Sequence, residues 1–228
     1  EAWHSERLSR LPRGLWLYRP PNELSGDAGA APAARPGAVI FGSMNMLAKI
    51  SPYTVSLWAR ILRQVTAARL VMTGVPEGEA RALIRQRFAA QGVAAERLEL
   101  HDKLPYAHYR ALLRRIDIAL DPFPYNGTTT TCDTLWQGIP VVSLAGETSV
   151  ARSGHALLKA AGLAELAAPD EAGYIRIAIE LAQDAGRQLA LHAGLRARLE
   201  ASPLRDEAGF TRELETAYRA MWREWCRG

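Results

Sequence analysis

The chain has 228 residues, of which 48% are hydrophobic and 23% charged, with a formal net charge of +4. That length is enough for one ordinary domain with a core of its own; no apolar run is long enough for a membrane-spanning helix, and Glu1 to Arg10 carry charges where a secretory leader needs an apolar stretch. Cys132 and Cys226 form no disulfide framework, and together with His4, His101, His108, His155 and His192 they show no metal-ligand spacing, which predicts a reducing, cytoplasmic setting and no metal site.

Residues 15–18, carrying Leu15, Trp16, Leu17 and Tyr18, read as a short strand-like piece, too small for a core and expected to pack beside this domain. The stretch PPNELSGDAGAAPAARPG over 20–37 has no periodicity and is rich in Pro, Gly and Ala, so it reads as a linker or long loop. Short apolar runs then alternate with helical stretches. Strands are predicted over 38–41, 69–73, 97–100, 116–120 and 140–144, and helices over 53–64, 79–91, 106–115 and 129–137. Ser51-Pro52 supplies a cap residue and a proline at the first helical position. Gly92 and Gly138 stop the second and fourth helices. This alternation predicts an α/β fold with a doubly wound, Rossmann-like parallel sheet. From Thr148 onward the chain is expected to be all-helical. It ends on a stripe of Leu214, Tyr218, Met221, Trp222 and Trp225 at helical spacing.

The arginines fall largely on the polar faces of the predicted helices. No basic stripe is interleaved with aromatics, so nucleic acid is not the expected partner. A modest positive field suits an anionic small substrate.

On an open parallel sheet, ligands sit beyond the carboxyl ends of the strands, so the loops there carry the candidates. After the fourth strand comes DPFPYNGTTTTCD, from Asp121 to Asp133. Asn126-Gly127 is expected to form a tight turn with positive φ. Thr128, Thr129, Thr130 and Thr131 place hydroxyls and free amides at a helix start, which suits a diphosphate. Asp133 lies four residues after Thr129 on the same face, where a carboxylate can accept from ribose hydroxyls. An ordinary capped helix with a polar first turn accounts for the spacing equally well.

After the first strand, Asn45 and Lys49 are polar residues in an otherwise apolar loop; Lys49 can neutralise a departing diphosphate or be a simple surface lysine. After the third strand, Leu104-Pro105 offers backbone groups to a base edge, and Tyr106, His108 and Tyr109 can stack or pack. After the fifth, Gly146-Glu147-Thr148 is expected to turn into a helix, with Glu147 as cap and Arg152 in the second turn.

Four motifs, MNMLAKISP, LDPFPYNGTTTTCDTLWQGIPVV, GETSVAR and ELETAYRAMW, together resemble the O-GlcNAc transferase family, glycosyltransferase family 41, over roughly 41–225. The resemblance implies the C-terminal lobe of a two-lobed GT-B enzyme that inverts the sugar anomer without a metal. It implies no cofactor, a UDP-sugar being the donor substrate. By position, Lys49 matches the lysine that stabilises the leaving diphosphate. Thr129 and Thr130 match the phosphate-contacting pair, and Asp133 the ribose-binding acid. Leu104 falls where a backbone group reads uracil, and Tyr109 where the family has a histidine or tyrosine. Thr128 replaces a histidine, Met46 a glutamine, Ala48 a tyrosine and Leu112 an arginine.

On this resemblance, 1–37 is a segment and linker from a preceding catalytic lobe and 38–228 is the nucleotide-sugar-binding domain. The N-terminal lobe and tetratricopeptide repeats are then partners in a longer protein. The donor is expected to be UDP-GlcNAc or UDP-glucose and the acceptor a protein or peptide. A non-catalytic nucleotide-binding regulatory or scaffold module is the competing reading, motivated by Met46 and Thr128. A helical partner-binding module built on Trp222 and Trp225 is a third.

Overall fold

The short apolar runs become a sheet. The computed structural model describes residues 5–24 and 39–227. It contains strands β1 (Ile40–Ser43), β2 (Arg69–Met72), β3 (Leu98–Leu100), β4 (Ile118–Leu120), β5 (Val141–Leu144) and β6 (Ala167–Ala168). All neighbours are parallel and the order is β3-β2-β1-β4-β5-β6. β1, β4 and β5 are buried at every position, which is why their sequences do not alternate apolar with polar; Ser43 and Ser143 are the polar residues among them. The strand order reverses between β1 and β4. The loops leaving these two strands therefore flank a crevice at the carboxyl edge of the sheet, where doubly wound folds bind ligands.

The helices are α1 (Pro52–Gln64), α2 (Glu79–Ala89), α3 (Tyr106–Leu113), α4 (Thr129–Trp136), α5 (Ser153–Ala160), α6 (Glu171–Gln183), α7 (Ala185–Glu200) and α8 (Glu207–Trp225). Ser51 caps α1 by accepting from the Thr54 amide at 3.0 Å, with Pro52 opening the helix. Trp58 of α1 is fully buried, and its indole N–H donates to the Tyr174 hydroxyl of α6 at 2.9 Å. This bond joins the two helices across the core.

Three sequence expectations change. Residues 15–18 form no strand, and Tyr18 instead belongs to the core of this domain. Its amide donates to the Leu204 carbonyl at 2.8 Å. The region after Thr148 is not wholly helical, because Ala167–Ala168 adds a sixth strand to β5. The helix after GETSVAR begins at Ser153, so Arg152 stands at the cap position and Glu147 is an exposed turn residue that caps nothing. Most of the expected linker over 20–37, namely 25–37, lies outside the described residues, as does Ala38 at the start of the first expected strand.

The N-terminal segment is tied down by two sets of contacts. Arg7 pairs with Glu224, Arg13 with Asp206 and Glu213, and Arg19 with Glu207, so the segment is pinned to α8 and the residue that caps it. Exposed pairs of this kind contribute little each. The stronger anchor is Leu24, fully buried, whose carbonyl accepts from the Trp136 indole at 2.9 Å. The guanidinium of Arg196 lies 4.4 Å from the centroid of the Trp136 ring. The stripe on α8 is not packed: Tyr218, Met221, Trp222 and Trp225 are exposed.

Candidate functional site

Two loops from opposite sides of the strand reversal are stapled together. From the β1–α1 side come Asn45, Lys49, Ser51 and Thr54; from the β4–α4 side, the stretch between Asp121 and Thr130. Thr54 Oγ1 donates to the Phe123 carbonyl at 2.6 Å and accepts from the Phe123 amide at 3.1 Å. Ser51 Oγ donates to the same carbonyl at 2.8 Å. Lys49 Nζ donates to the Asn126 carbonyl at 3.0 Å and lies 4.2 Å from the centroid of the Tyr125 ring. Thr130 Oγ1 donates to Asn45 Oδ1 at 3.0 Å. Lys49 and the threonine-lined start of α4, predicted from separate stretches of sequence, thus share one edge of the sheet.

The Asn126–Gly127 turn differs from its expected form. Neither residue has a positive φ. Glycine is required at 127 by space instead: a Cβ there would lie 2.5 Å from Thr131 Oγ1, 2.7 Å from Thr130 Oγ1 and 3.1 Å from Asn45 Oδ1. The start of α4 is also not an ordinary capped helix. Thr128 occupies the cap position, but its side chain makes no cap bond. Thr129 is exposed and Thr128 and Thr130 are half-buried, so the positive end of α4 opens to solvent beside Lys49.

Electrostatically the site is a cation over a buried acid. Burial lowers the Lys49 ammonium below its ordinary value, and Asp121 acts against that shift. Burial pushes the Asp121 carboxyl up to about 7, opposed by hydrogen bonds from the Gly127 amide and the Ser143 hydroxyl and by the Lys49 charge. Asp121 Oδ1 accepts from Gly127 and Oδ2 from Ser143, each at 2.7 Å.

Asp133 is 8% exposed and lies one turn into α4. Burial raises its carboxyl above the ordinary range, and a 2.8 Å bond from the Tyr18 hydroxyl works against the rise. Tyr109 is half-buried, and its phenol is raised by burial first and then by the Asp133 charge. Its ring lies 5.8 Å from that of Tyr106. Leu104, half-buried in the loop after β3, makes no hydrogen bond to the other candidates among the described residues. Among those residues, too, no three His, Cys, Asp or Glu side chains are grouped to hold a metal ion.

Sequence reasoning did not single out Asp121, Thr54 or Tyr18. Asp121 had a readable signal, a charged residue ending an apolar strand. Tyr18 had none, since its partner Asp133 is 115 positions away.

The sequence profile of Glycosyl transferase family 41 matches residues 32–214. The chain belongs to glycosyltransferase family 41. Its family 41 relatives include proteins described as "probable UDP-N-acetylglucosamine--peptide N-acetylglucosaminyltransferase SPINDLY". The one from Petunia hybrida is 41% identical over 99% of this chain and 24% of its own length. A relative from Arabidopsis thaliana bearing the same description with the name SEC is 30% identical over 99% of this chain. The solved structure of a mutant Thermobaculum terrenum O-GlcNAc transferase superposes with a TM-score of 0.87 at 40% identity, covering 97% of this chain and 42% of that one. The glycosyltransferase WaaG, at 10% identity and a TM-score of 0.58, shares the fold alone. The sheet and helices are those of a GT-B glycosyltransferase lobe, and this family 41 chain spans about a quarter of the length of the curated relatives it matches.

Proposed function

We propose that this chain is the donor-binding lobe of an inverting, metal-independent protein glycosyltransferase, and that its crevice holds the UDP of a UDP-sugar. One observation carries the reading: Lys49, arriving from the β1–α1 loop, reaches within 3.0 Å of the Asn126 carbonyl, next to the open start of α4. An ammonium and a helix N-terminus converging from two elements make a diphosphate site without a cation from solution.

In this reading the amides and hydroxyls of Thr129 and Thr130 hold the diphosphate, with Thr128 and Asn45 at the rim. Asp133, with one oxygen taken by Tyr18, offers the other to the ribose. The backbone at Leu104 and the ring of Tyr109 face the base. An acceptor hydroxyl attacks the anomeric carbon from the side opposite the phosphate. The new C–O bond forms as the bond to the β-phosphate oxygen breaks, and that oxygen leaves with the electron pair. Lys49 stabilises the charge that builds there, an interaction stronger in the transition state than in the ground state. The acceptor hydroxyl belongs to a separate protein or peptide, and its proton passes to a base outside this lobe. The names of the SPINDLY relatives favour UDP-GlcNAc and a peptide acceptor.

Calorimetric titration of the chain with UDP, UDP-GlcNAc and UDP-glucose tests the proposal. Saturable binding of UDP and a further gain in affinity with one sugar support a donor site. No binding of any of the three at millimolar concentration overturns it, and UDP binding with no sugar dependence favours the regulatory module.

A further inference from the structure

We infer that Asp121 is the positioning residue of this site: its buried carboxyl group holds the Asn126–Gly127 turn, and through that turn Lys49 and the start of α4, in register with β5 and α5. The inference rests on the donor-site reading and adds to it a residue that touches no ligand, being only 2% exposed.

Each link is a contact. Asp121 Oδ1 accepts from the Gly127 amide and Oδ2 from the Ser143 hydroxyl of β5. The Asp121 carbonyl accepts from the Tyr174 hydroxyl at 3.0 Å, and Tyr174 accepts from Trp58. A Cβ on Gly154 would lie 2.0 Å from Ser143 Oγ and 2.5 Å from Asp121 Oδ2, so the first turn of α5 sits directly on the pair. The Gly154 amide donates to Asn126 Oδ1 at 3.2 Å, and Asn126 Nδ2 closes back on the Pro122 carbonyl at 2.9 Å. The Asn126 carbonyl is the group that takes Lys49. One carboxyl group therefore connects two strands, two helix starts and the site's cation.

A buried carboxyl is an expensive way to fill this space. What it supplies is two acceptor oxygens facing opposite ways, one for the turn and one for β5. An asparagine can still accept from Gly127 and meet Ser143 with its amide, whereas an alanine leaves both donors unpartnered. The charged and titratable groups facing Asp121 are Lys49 from the β1–α1 loop and Tyr174 from α6. An ionised Asp121 competes with a bound diphosphate for Lys49, and a neutral one does not.

The test uses the 228-residue chain with Asp121→Asn, Asp121→Ala and Ser143→Ala. Gly127 amide exchange is read by NMR without ligand, and the UDP dissociation constant by calorimetry at two pH values on either side of neutrality. Asp121→Ala should speed Gly127 exchange and weaken UDP, each at least about tenfold. Asp121→Asn should stay within about threefold on both at the lower pH. Its UDP affinity should respond to pH at least about threefold less than the wild type, UDP's own ionisation being common to both. Unchanged exchange and affinity in Asp121→Ala overturn the inference, as does an Asn variant with the wild-type pH response. If the alanine variant does not fold, Ser143→Ala decides: faster Gly127 exchange supports the inference and unchanged exchange overturns it. Wild-type chain that binds no UDP overturns the donor-site reading alone, and Asp121 is then judged on amide exchange.

Discussion

The Lys49 ammonium and the Asn126 carbonyl, 77 residues apart in sequence, meet at 3.0 Å across the strand reversal of the sheet. Both partners of the bond belong to this domain, and the Tyr125 ring lies alongside. In a transferase containing this lobe, Lys49→Ala should lower kcat by about 100-fold or more while UDP affinity falls much less. Steady-state kinetics beside UDP titration checks this, and equal losses in both would mean that Lys49 only binds.

The crowding at Gly127 predicts a selective defect. A methyl group there must displace the hydroxyls of Thr130 and Thr131. Gly127→Ala should cost about 1–3 kcal/mol of stability and weaken UDP beyond what its fraction folded explains. Chemical denaturation together with ligand titration separates the two effects.

Tyr18→Phe removes the hydroxyl that donates to Asp133 and leaves a buried carboxylate oxygen without that partner. The expected loss is about 1–3 kcal/mol in urea unfolding. Double replacement with Asp133→Asn should recover part of it, because the unpaired charge is then gone. Additive losses would show that the two side chains do not act together.

Stability should depend on pH through Asp121. Its carboxyl stands at about 7 in the folded chain against an ordinary 3.8. The folded chain thus keeps a proton that the unfolded chain releases. This contribution is fully present below about pH 4 and is lost as pH rises through about 7. Its size is on the order of a few kcal/mol. Urea midpoints across this window should fall with rising pH in the wild type, and Asp121→Asn should flatten that fall.

The parallel sheet was legible because buried strands write themselves as apolar runs and helices announce their ends. Ser51-Pro52 before α1 and Gly138 after α4 are local signals, and both elements are found within a residue or two of expectation. β6 was not legible: two alanines carry no β-branched pattern and become a strand only because β5 offers an unpaired edge. The candidate residues around Lys49 and Thr130 could be read from their position after strands. The stapling of their loops could not, because Thr54 bonding to Phe123 is a tertiary fact with no local trace. Gly127 shows the same limit. Its residue type suggested a backbone twist, while its actual constraint is the room left by two threonine side chains.

Four of the six tryptophans fall into two contrasting pairs. Trp58 and Trp136 are sealed in the core, while Trp222 and Trp225 on α8 stand 66% and 80% open to water. The pair on α8 will contribute red-edge emission open to acrylamide quenching. A molecule that covers the apolar side of that helix will shift the emission to shorter wavelength without any label being added.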